Sequence, residues 1–348
     1  MILFASLAVI LQWFVLLIIP DIARPGIFFG VTVAPGFDTS PEARRIRGTY
    51  RATLILSSLA ALALIHWAPF FPGGRIALAL PIQVAASMAG WIRANRQVKQ
   101  FARAGETIRS ASLESRPVRM PGGWLFFLGP LLVTAFAGVL LALNWSLLPD
   151  PLPVHWNIQG QPDRWARRTA ATVFAPLLIV TFVNIAMLVM ARHILFHTRQ
   201  ISVQGAAADR EREFKRFNYL ILVFAAYMGS LIGAMLAIRR IGAAPGIRPG
   251  GWPFFLILPV AIMAAVLFYA IRYGQGGIGR TGAPGATLGD LTPDACWKWG
   301  MIYYNPGDPA FLVEKRMGYG WTFNFGNKWA WVFLLLILAA PLLLALAT

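Results

Sequence analysis

"WLFFLGPLLVTAFAGVLLALNWSLLPDPLPVHWNIQGQPDRWARRTAATVFAPLLIVTFVNIAMLVMA" (residues 124–191) consists of two greasy arms around a polar connector. Each arm has close to the ~20 apolar residues that carry a helix across ~30 Å of hydrocarbon. The connector, 148–168, is unlike its flanks. Pro149, Pro151 and Pro153 hold the backbone extended once the first helix ends, and Gly160 and Pro162 in "GQPD" supply a turn back. Trp156 and Trp165 suit the depth of lipid headgroups. The pattern predicts a stiff, aromatic-rimmed loop presenting Asp150, His155, Asn157, Gln159 and Asp163.

Six further apolar runs extend this reading outward. With the two arms they give eight candidate spans, at 2–19, 53–70, 77–92, 124–148, 170–191, 217–238, 252–271 and 329–347. The third is the shortest. The first has no basic residue before it and stops at "PD" without a small-residue cleavage site, so it reads as a retained helix rather than a signal peptide. The composition agrees: 57% of the 348 residues are hydrophobic and only 13% charged, against roughly a quarter charged in soluble domains. The fold class expected is an all-α integral membrane protein of about eight transmembrane helices, with a short cytoplasmic aromatic-rich insert.

The formal net charge of +17 invites a nucleic-acid reading, but the distribution of the charge argues for a membrane. Of the 31 Lys and Arg, 24 fall in the odd-numbered loops between these spans and seven in the even-numbered ones. That asymmetry places the odd loops in the cytoplasm and both termini outside. Basic loops beside helices are drawn to anionic lipid headgroups, so the bilayer is the expected partner and no nucleic acid is. Cys296, the single cysteine, leaves no intrachain disulfide and no cysteine metal site.

The regions expected are a three-span N-terminal part (1–123), a two-span unit carrying the outward loop (124–195), spans six and seven with their preceding charged loop (196–273), a Gly-rich tether with an aromatic domain (274–328), and the final span (329–348). Residues 96–119 read as a short amphipathic helix followed by a polar linker. In "DREREFKR" (209–216) carboxylates three or four positions from arginines support a solvated helical extension into span six. The glycines of 274–289 make a flexible tether. The segment 296–328 then gathers Trp297, Trp299, Tyr303, Tyr304, Asn305 and Asp308 into an interfacial unit on the cytoplasmic face, where a regulator could dock. "PGGWLFFL" (121–128) and "PGGWPFFL" (249–256) precede oppositely oriented spans, as an inverted repeat would or as a shared breaker-plus-Trp helix start would.

Within the spans no Asp, Glu, Lys or Arg lies at mid-depth, which argues against ion-coupled transport. Gln83 and Asn184 are the deep polar groups, with Pro176 and Pro259 as kink sites nearby. Ala225, Gly229, Gly233 and Ala237 form a small-residue stripe, suited to ordinary helix packing or to a homodimer seam through Gly229 and Gly233. His193 and His197 share a helix face, but the glutamate of a metalloprotease pattern is missing. No nucleophile–base pair, phosphate loop or dinucleotide fingerprint is visible, so neither an enzyme nor a cofactor is expected.

The chemistry concentrates in the connector. Of 14 acidic residues only Asp150 and Asp163 face outward, with His155 between them. Three readings compete: a rigid cap on the helical connection, an outward recognition site, and a metal held by Asp150, His155 and Asp163. Stiffening a loop beforehand lowers the ordering cost of binding, which favours recognition.

At these residues the sequence resembles a domain of the bacterial SdpI-like immunity family, whose loop runs Leu-Pro-x-x-[ILV]-Pro-x-His-[FW]-[ND]-x-x-Gly-x-Pro-Asp. The match covers Leu148, Pro149, Leu152, Pro153, His155, Trp156, Asn157, Gly160, Pro162 and Asp163. The C-terminal "WKWGMIYYNPGDPAFLVEKRMGYGWTFNFGNKWAW" (297–331) resembles a second uncharacterised domain that often accompanies it. The resemblance implies a multi-pass membrane protein of the immunity or signalling type, recognising a hydrophobic secreted peptide or lipid-like ligand at its outer face. Competing expectations are a transporter or channel for an uncharged or lipidic solute, with a polar cavity near Gln83 and Asn184, and a metal-dependent membrane enzyme.

Overall fold

The computed structural model describes residues 2–67, 74–103, 119–156, 161–202, 205–241, 252–278 and 289–346. Asn157, Gln159 and Gly160 lie outside the described residues, as do the side chains of His155 and Trp156. Eight α-helices are present among the described residues: α1 (Ile2–Ile22), α2 (Pro41–Trp67), α3 (Gly74–Val98), α4 (Gly123–Leu143), α5 (Ala170–His197), α6 (Gly205–Ile241), α7 (Trp252–Tyr273) and α8 (Lys328–Leu346). Each covers one of the apolar runs. Five of them, α1, α2, α4, α5 and α6, are long and apolar enough to cross a membrane over their described residues, rather than the eight expected. In α3, Arg93 and Arg96 dilute the apolar stretch, while α7 and α8 show only shorter described apolar segments. The protein is a predominantly helical, multi-pass membrane protein.

The expectation of an all-α chain needs correction. Four two-stranded antiparallel sheets occur among the described residues. They pair β1 (Ile27–Phe28) with β2 (Val31–Thr32), β3 (Leu152–Trp156) with β4 (Pro162–Ala166), β5 (Trp297–Lys298) with β6 (Ile302–Tyr303), and β7 (Leu312–Glu314) with β8 (Trp321–Phe323). All lie in connectors, where helical propensity is broken by Pro and Gly and short extended pieces pair locally.

The chain divides into two compact units. The first comprises Met1–Leu113, Arg199–Phe214 and Phe268–Asn327; the second Glu114–Thr198, Lys215–Leu267 and Lys328–Thr348.

In the first unit α1, α2 and α3 pack together, and the loop after α1 folds into their end. Phe28 and Phe29 are 1% exposed. The Phe29 ring centroid lies 5.1 Å from that of Tyr50 and 4.8 Å from that of Trp91. The Phe29 carbonyl accepts from Asn95 Nδ2 at 2.8 Å, and Trp91 Nε1 donates to the Trp299 carbonyl at 3.0 Å. Gly30 (φ 75°) and Gly300 (φ 72°) bring two backbones into direct contact: a Cβ on Gly300 would sit 2.7 Å from Gly30 Cα. Only glycine satisfies both the left-handed geometry and that approach.

The amphipathic helix expected at 96–119 is the end of α3, closed by a short 3-10 turn over Lys99–Phe101; residues 104–118 lie outside the described residues. Gln83, deep in α3, donates to Ser58 Oγ at 2.9 Å and to the Val9 carbonyl at 3.2 Å.

In the second unit α4 packs on α5 and α8 packs on α5, and α6 meets α4 and α5 through Ser230 and Gly229. Asn184 Nδ2 donates to Ser230 Oγ, which donates to the Pro130 carbonyl, both at 2.7 Å. The small-residue stripe faces α5 of the same chain, since Cβ atoms on Gly229 and Gly233 would meet Asn184 and Val180 at 3.1 Å. Gln83 and Asn184 are 0% and 1% exposed and hydrogen-bonded between helices. They tie helices together in dry packing, contrary to a polar cavity around them.

Candidate functional site

The connector at 148–168 is built from the second unit upward. α4 ends at Leu143, and the chain makes a 3-10 turn over Trp145–Leu147 before extending. Leu148 (2% exposed) and Leu152 (0%) drop into a core with Leu141, Val173 and Leu177, anchoring the start of the hairpin on α4 and α5. β3 pairs with β4 as Leu152↔Ala166, Pro153↔Trp165, His155↔Arg164 and Trp156↔Pro162, with shifts of register either side of His155.

Arg168 ties the base of the hairpin. Its guanidinium donates to the Leu148 carbonyl at 2.6 Å and the Trp145 carbonyl at 3.2 Å, and lies 5.8 Å above the Trp145 ring. Its backbone N–H donates to Asp150 Oδ1 at 3.2 Å. Thr169 then starts α5 with a reciprocal cap, accepting from Thr172 N at 3.2 Å while its own N–H donates to Thr172 Oγ1 at 2.9 Å. Asp150, expected to contact a ligand, thus holds the hairpin closed. Three carbonyl or carboxylate acceptors on one arginine are worth roughly 1.5–3 kcal/mol each when charge-assisted and partly buried, less where water reaches them.

Beyond this base the hairpin is open. Pro162, Asp163, Arg164 and Trp165 of β4 are all exposed, Trp165 at 52%. The expected extended, proline-stiffened loop is present as a two-stranded sheet; Pro151 is exposed, and Pro153 is buried in β3. Of the residues expected to form the ligand site, Asp163 and Trp165 stand on the exposed strand. Across the pair the backbone of His155 lies opposite Arg164, that of Trp156 opposite Pro162, and Pro153 opposite Trp165.

The aromatic segment 296–328 sorts its residues by burial. Trp297, Tyr303 and Asp308 are interior, at 3%, 1% and 2% exposure. Trp299 and Tyr304 remain on the surface at 45% and 47%, and Asn305 shapes the turn, accepting from Gly307 N at 3.1 Å. The "YNPGDP" turn is held by Asn324, whose side chain donates to the Asn305 and Asp308 carbonyls and accepts from Asn305 N, each within 3.0 Å. Asp308 accepts from the Tyr303 hydroxyl at 2.7 Å and pairs with Arg199. Burial, reinforced by Asp308, pushes the Tyr303 phenol up to about 12.

Sequence reasoning missed a buried charge system in the first unit. Arg24, 3% exposed, makes a two-pronged pair with Glu314 at 2.8 and 3.0 Å and a third bond to Glu211 at 3.0 Å. Burial alone would lower the Arg24 pKa, but the two carboxylates outweigh it and hold the group charged. Glu211 also accepts from the backbone N–H of Ile201 (2.9 Å) and Ser202 (3.0 Å). Gln275 Nε2 donates to Glu314 at 3.3 Å and to the Gly320 carbonyl at 2.7 Å, and Gln275 Oε1 accepts from Gly320 N at 2.8 Å. A second centre, Arg316, pairs with Asp290 at 2.8 Å and Asp294 at 2.5 Å.

The solvated helical reading of "DREREFKR" holds for one face only: Asp209, Arg210, Glu213 and Arg216 are exposed, while Glu211 is 1% and Lys215 8% exposed. The start of the Gly-rich tether is likewise fixed by Gln275, Gly276 and Gly277, all buried. The only advance signal was the mixed charge of these loops, which a solvated surface also shows.

Comparison with known families matches this geometry in two places. Residues 132–180 match the model described as Domain of unknown function (DUF1648); the match spans the end of α4, the hairpin and the start of α5. Residues 306–331 match that of a Family of unknown function (DUF5808), spanning the turn, β7, β8 and the start of α8. The chain is thus a multi-pass membrane protein carrying a DUF1648 domain. Nothing among curated proteins or solved structures matches it.

Proposed function

We propose that this is a bacterial inner-membrane protein of the immunity or signalling type, crossing the bilayer eight times with both termini outside. It binds a hydrophobic peptide or lipid-like ligand through the β3–β4 hairpin. The observation that carries this reading is the hairpin itself: a base closed by Arg168 and Asp150 supports an exposed strand bearing Asp163, Arg164 and Trp165. A preformed strand spends little entropy on ordering when a ligand arrives. Trp165 offers apolar area beside a charged pair, the combination that reads an amphipathic partner. Two crossings flanking the hairpin, α4 and α5, fit its placement at a membrane surface. Trp299 and Tyr304 would report occupancy to a cytoplasmic partner, and no catalytic role is assigned.

The test is a deletion strain challenged with membrane-active peptides and complemented with single variants. The expected outcome is that the deletion is sensitised, wild type restores resistance, and Asp163→Ala and Trp165→Ala fail to restore it at equal membrane abundance. Full restoration by both variants overturns the site. A deletion no more sensitive than its parent removes the immunity role.

A further inference from the structure

The first unit holds a pocket of about 370 Å³ where the end of α1, the first turns of α6 and the last turn of α7 meet, lined by Asp21, Arg210, Glu213, Tyr269, Arg272 and Tyr273. Its size lies within the ~300–1,000 Å³ range of small-ligand sites. The backbone of Gly274 and Gly277, both at positive φ, closes its floor.

The charges are arranged unevenly. Asp21 is already neutralised, 3.0 Å from Arg51 and 3.5 Å from Arg47. Arg210 and Arg272 are exposed and make no ion pair among the described residues, and Glu213 is likewise exposed beside them. The pocket therefore keeps two guanidinium groups and one carboxylate without an ion pair among the described residues, next to Tyr269 and Tyr273, whose rings lie 4.7 Å apart, with the Arg272 guanidinium 5.3 Å from the Tyr273 ring centroid. Arg272 stands in the last turn of α7, the level at which an apolar helix gives way to headgroups.

We infer that this pocket binds the phosphodiester headgroup of a membrane phospholipid, its phosphate held by Arg210 and Arg272 and a headgroup ammonium by Glu213. Guanidinium forks match phosphate oxygens with two parallel bonds, which fixes a headgroup rather than merely attracting it. The tyrosine pair supplies the amphipathic wall that contacts the glycerol backbone. This differs from general attraction of basic loops to a charged surface, because it requires both cations at one concavity and an adjacent anion. It is independent of the outward hairpin, and its failure leaves that reading untouched.

The test uses the full chain in detergent, stripped of lipid, with thermal stability and bound phosphorus as readouts. The probes are phosphatidylethanolamine, phosphatidylglycerol, phosphatidylcholine and inorganic phosphate. The expected result is that wild type retains a single phospholipid per chain and is stabilised by phosphatidylethanolamine above the other probes. Arg210→Gln with Arg272→Gln abolishes both effects. Glu213→Gln removes the preference for phosphatidylethanolamine over phosphatidylglycerol but keeps lipid bound. The double change Arg44→Gln with Arg45→Gln, at exposed positions on α2 away from the pocket, behaves as wild type.

Equal lipid retention in the Arg210/Arg272 pair and in the Arg44/Arg45 pair overturns the site. Stabilisation by inorganic phosphate alone, with none from lipid, overturns the membrane source. All three lipids acting alike in wild type removes the headgroup ammonium contact.

Discussion

Arg24, just past α1, and Arg51, in the third turn of α2, are both arginines of the first unit, yet their surroundings give them opposite weight. Arg24 is closed off from water with Glu314 and Glu211, whereas the Arg51 side chain is 43% exposed at its pair with Asp21. Removing one partner of a buried pair strands the remaining charges, at a cost of about 3–5 kcal/mol, while an exposed pair contributes about 0–1 kcal/mol. Arg24→Ala is therefore expected to lower the unfolding temperature of the purified protein steeply, and Arg51→Ala to change it little. Tyr303 adds a pH dependence. Its folded pKa is raised to about 12 from the ordinary value of 10.0, so the folded state retains the phenol proton after the unfolded chain has lost it. That contribution is whole below pH ~10 and falls away as pH climbs toward about 12, a slope that Tyr303→Phe removes in alkaline melts. None of this was legible from residue types. Arg24 and Glu314 are 290 positions apart, and a charge reads as solvated until its partner is known.

At the level of elements, an extended connector with a turn back was legible, and its pairing into a sheet and its fastening were not. Prolines, a Gly-Pro turn and two tryptophans between apolar arms announce an extended connector. That Arg168 rather than a ligand-facing group would bind the carbonyls of Trp145 and Leu148 depends on where α4 stops. Arg168→Ala leaves those carbonyls to water and frees the strand base; hydrogen exchange across 152–166 is expected to rise several-fold, with the cores of α4 and α5 unchanged. The contact of Gly30 with Gly300 makes a second prediction. Gly300→Ala combines a positive φ with overlap on Gly30 Cα at 2.7 Å, and is expected to destabilise by more than the ~1 kcal/mol of an ordinary strained glycine site. A thermal melt reads it directly. The first "PGGW" copy does act as a helix start, with Gly122 and Gly123 at positive φ where α4 begins; residues 249–251 of the second lie outside the described residues.

For the whole molecule, charge asymmetry and helix placement make one topological prediction. In a Cys296→Ser background, Asp163→Cys is expected to react with a membrane-impermeant thiol reagent in intact cells. In the parent chain Cys296, which is free and partly exposed, is expected to react only after lysis. Reversal of the two patterns would invert the protein and take the proposed external ligand with it. The length of α6 fits this frame: its 37 residues run ~55 Å at 1.5 Å per residue, well beyond a ~30 Å hydrocarbon core. That length leaves its first turns, which carry Arg210, Glu211 and Glu213, beyond the hydrocarbon, at the level of headgroups.

By itself the sequence determined the solvent, the positions of the helices and the extended character of the 148–168 connector. These follow from local runs of side chains, because a stretch of ~20 apolar residues lowers its free energy in lipid whatever the rest of the chain does. Tertiary structure alone decided which charges are buried, which small residues meet which neighbour, and which aromatics of 296–328 face inward. Those outcomes rest on pairs set apart in sequence, by 46 positions for Asn184 and Ser230 and by 290 for Arg24 and Glu314. A carboxylate or a glycine acquires its role only when the partner that neutralises or fills it has been brought alongside.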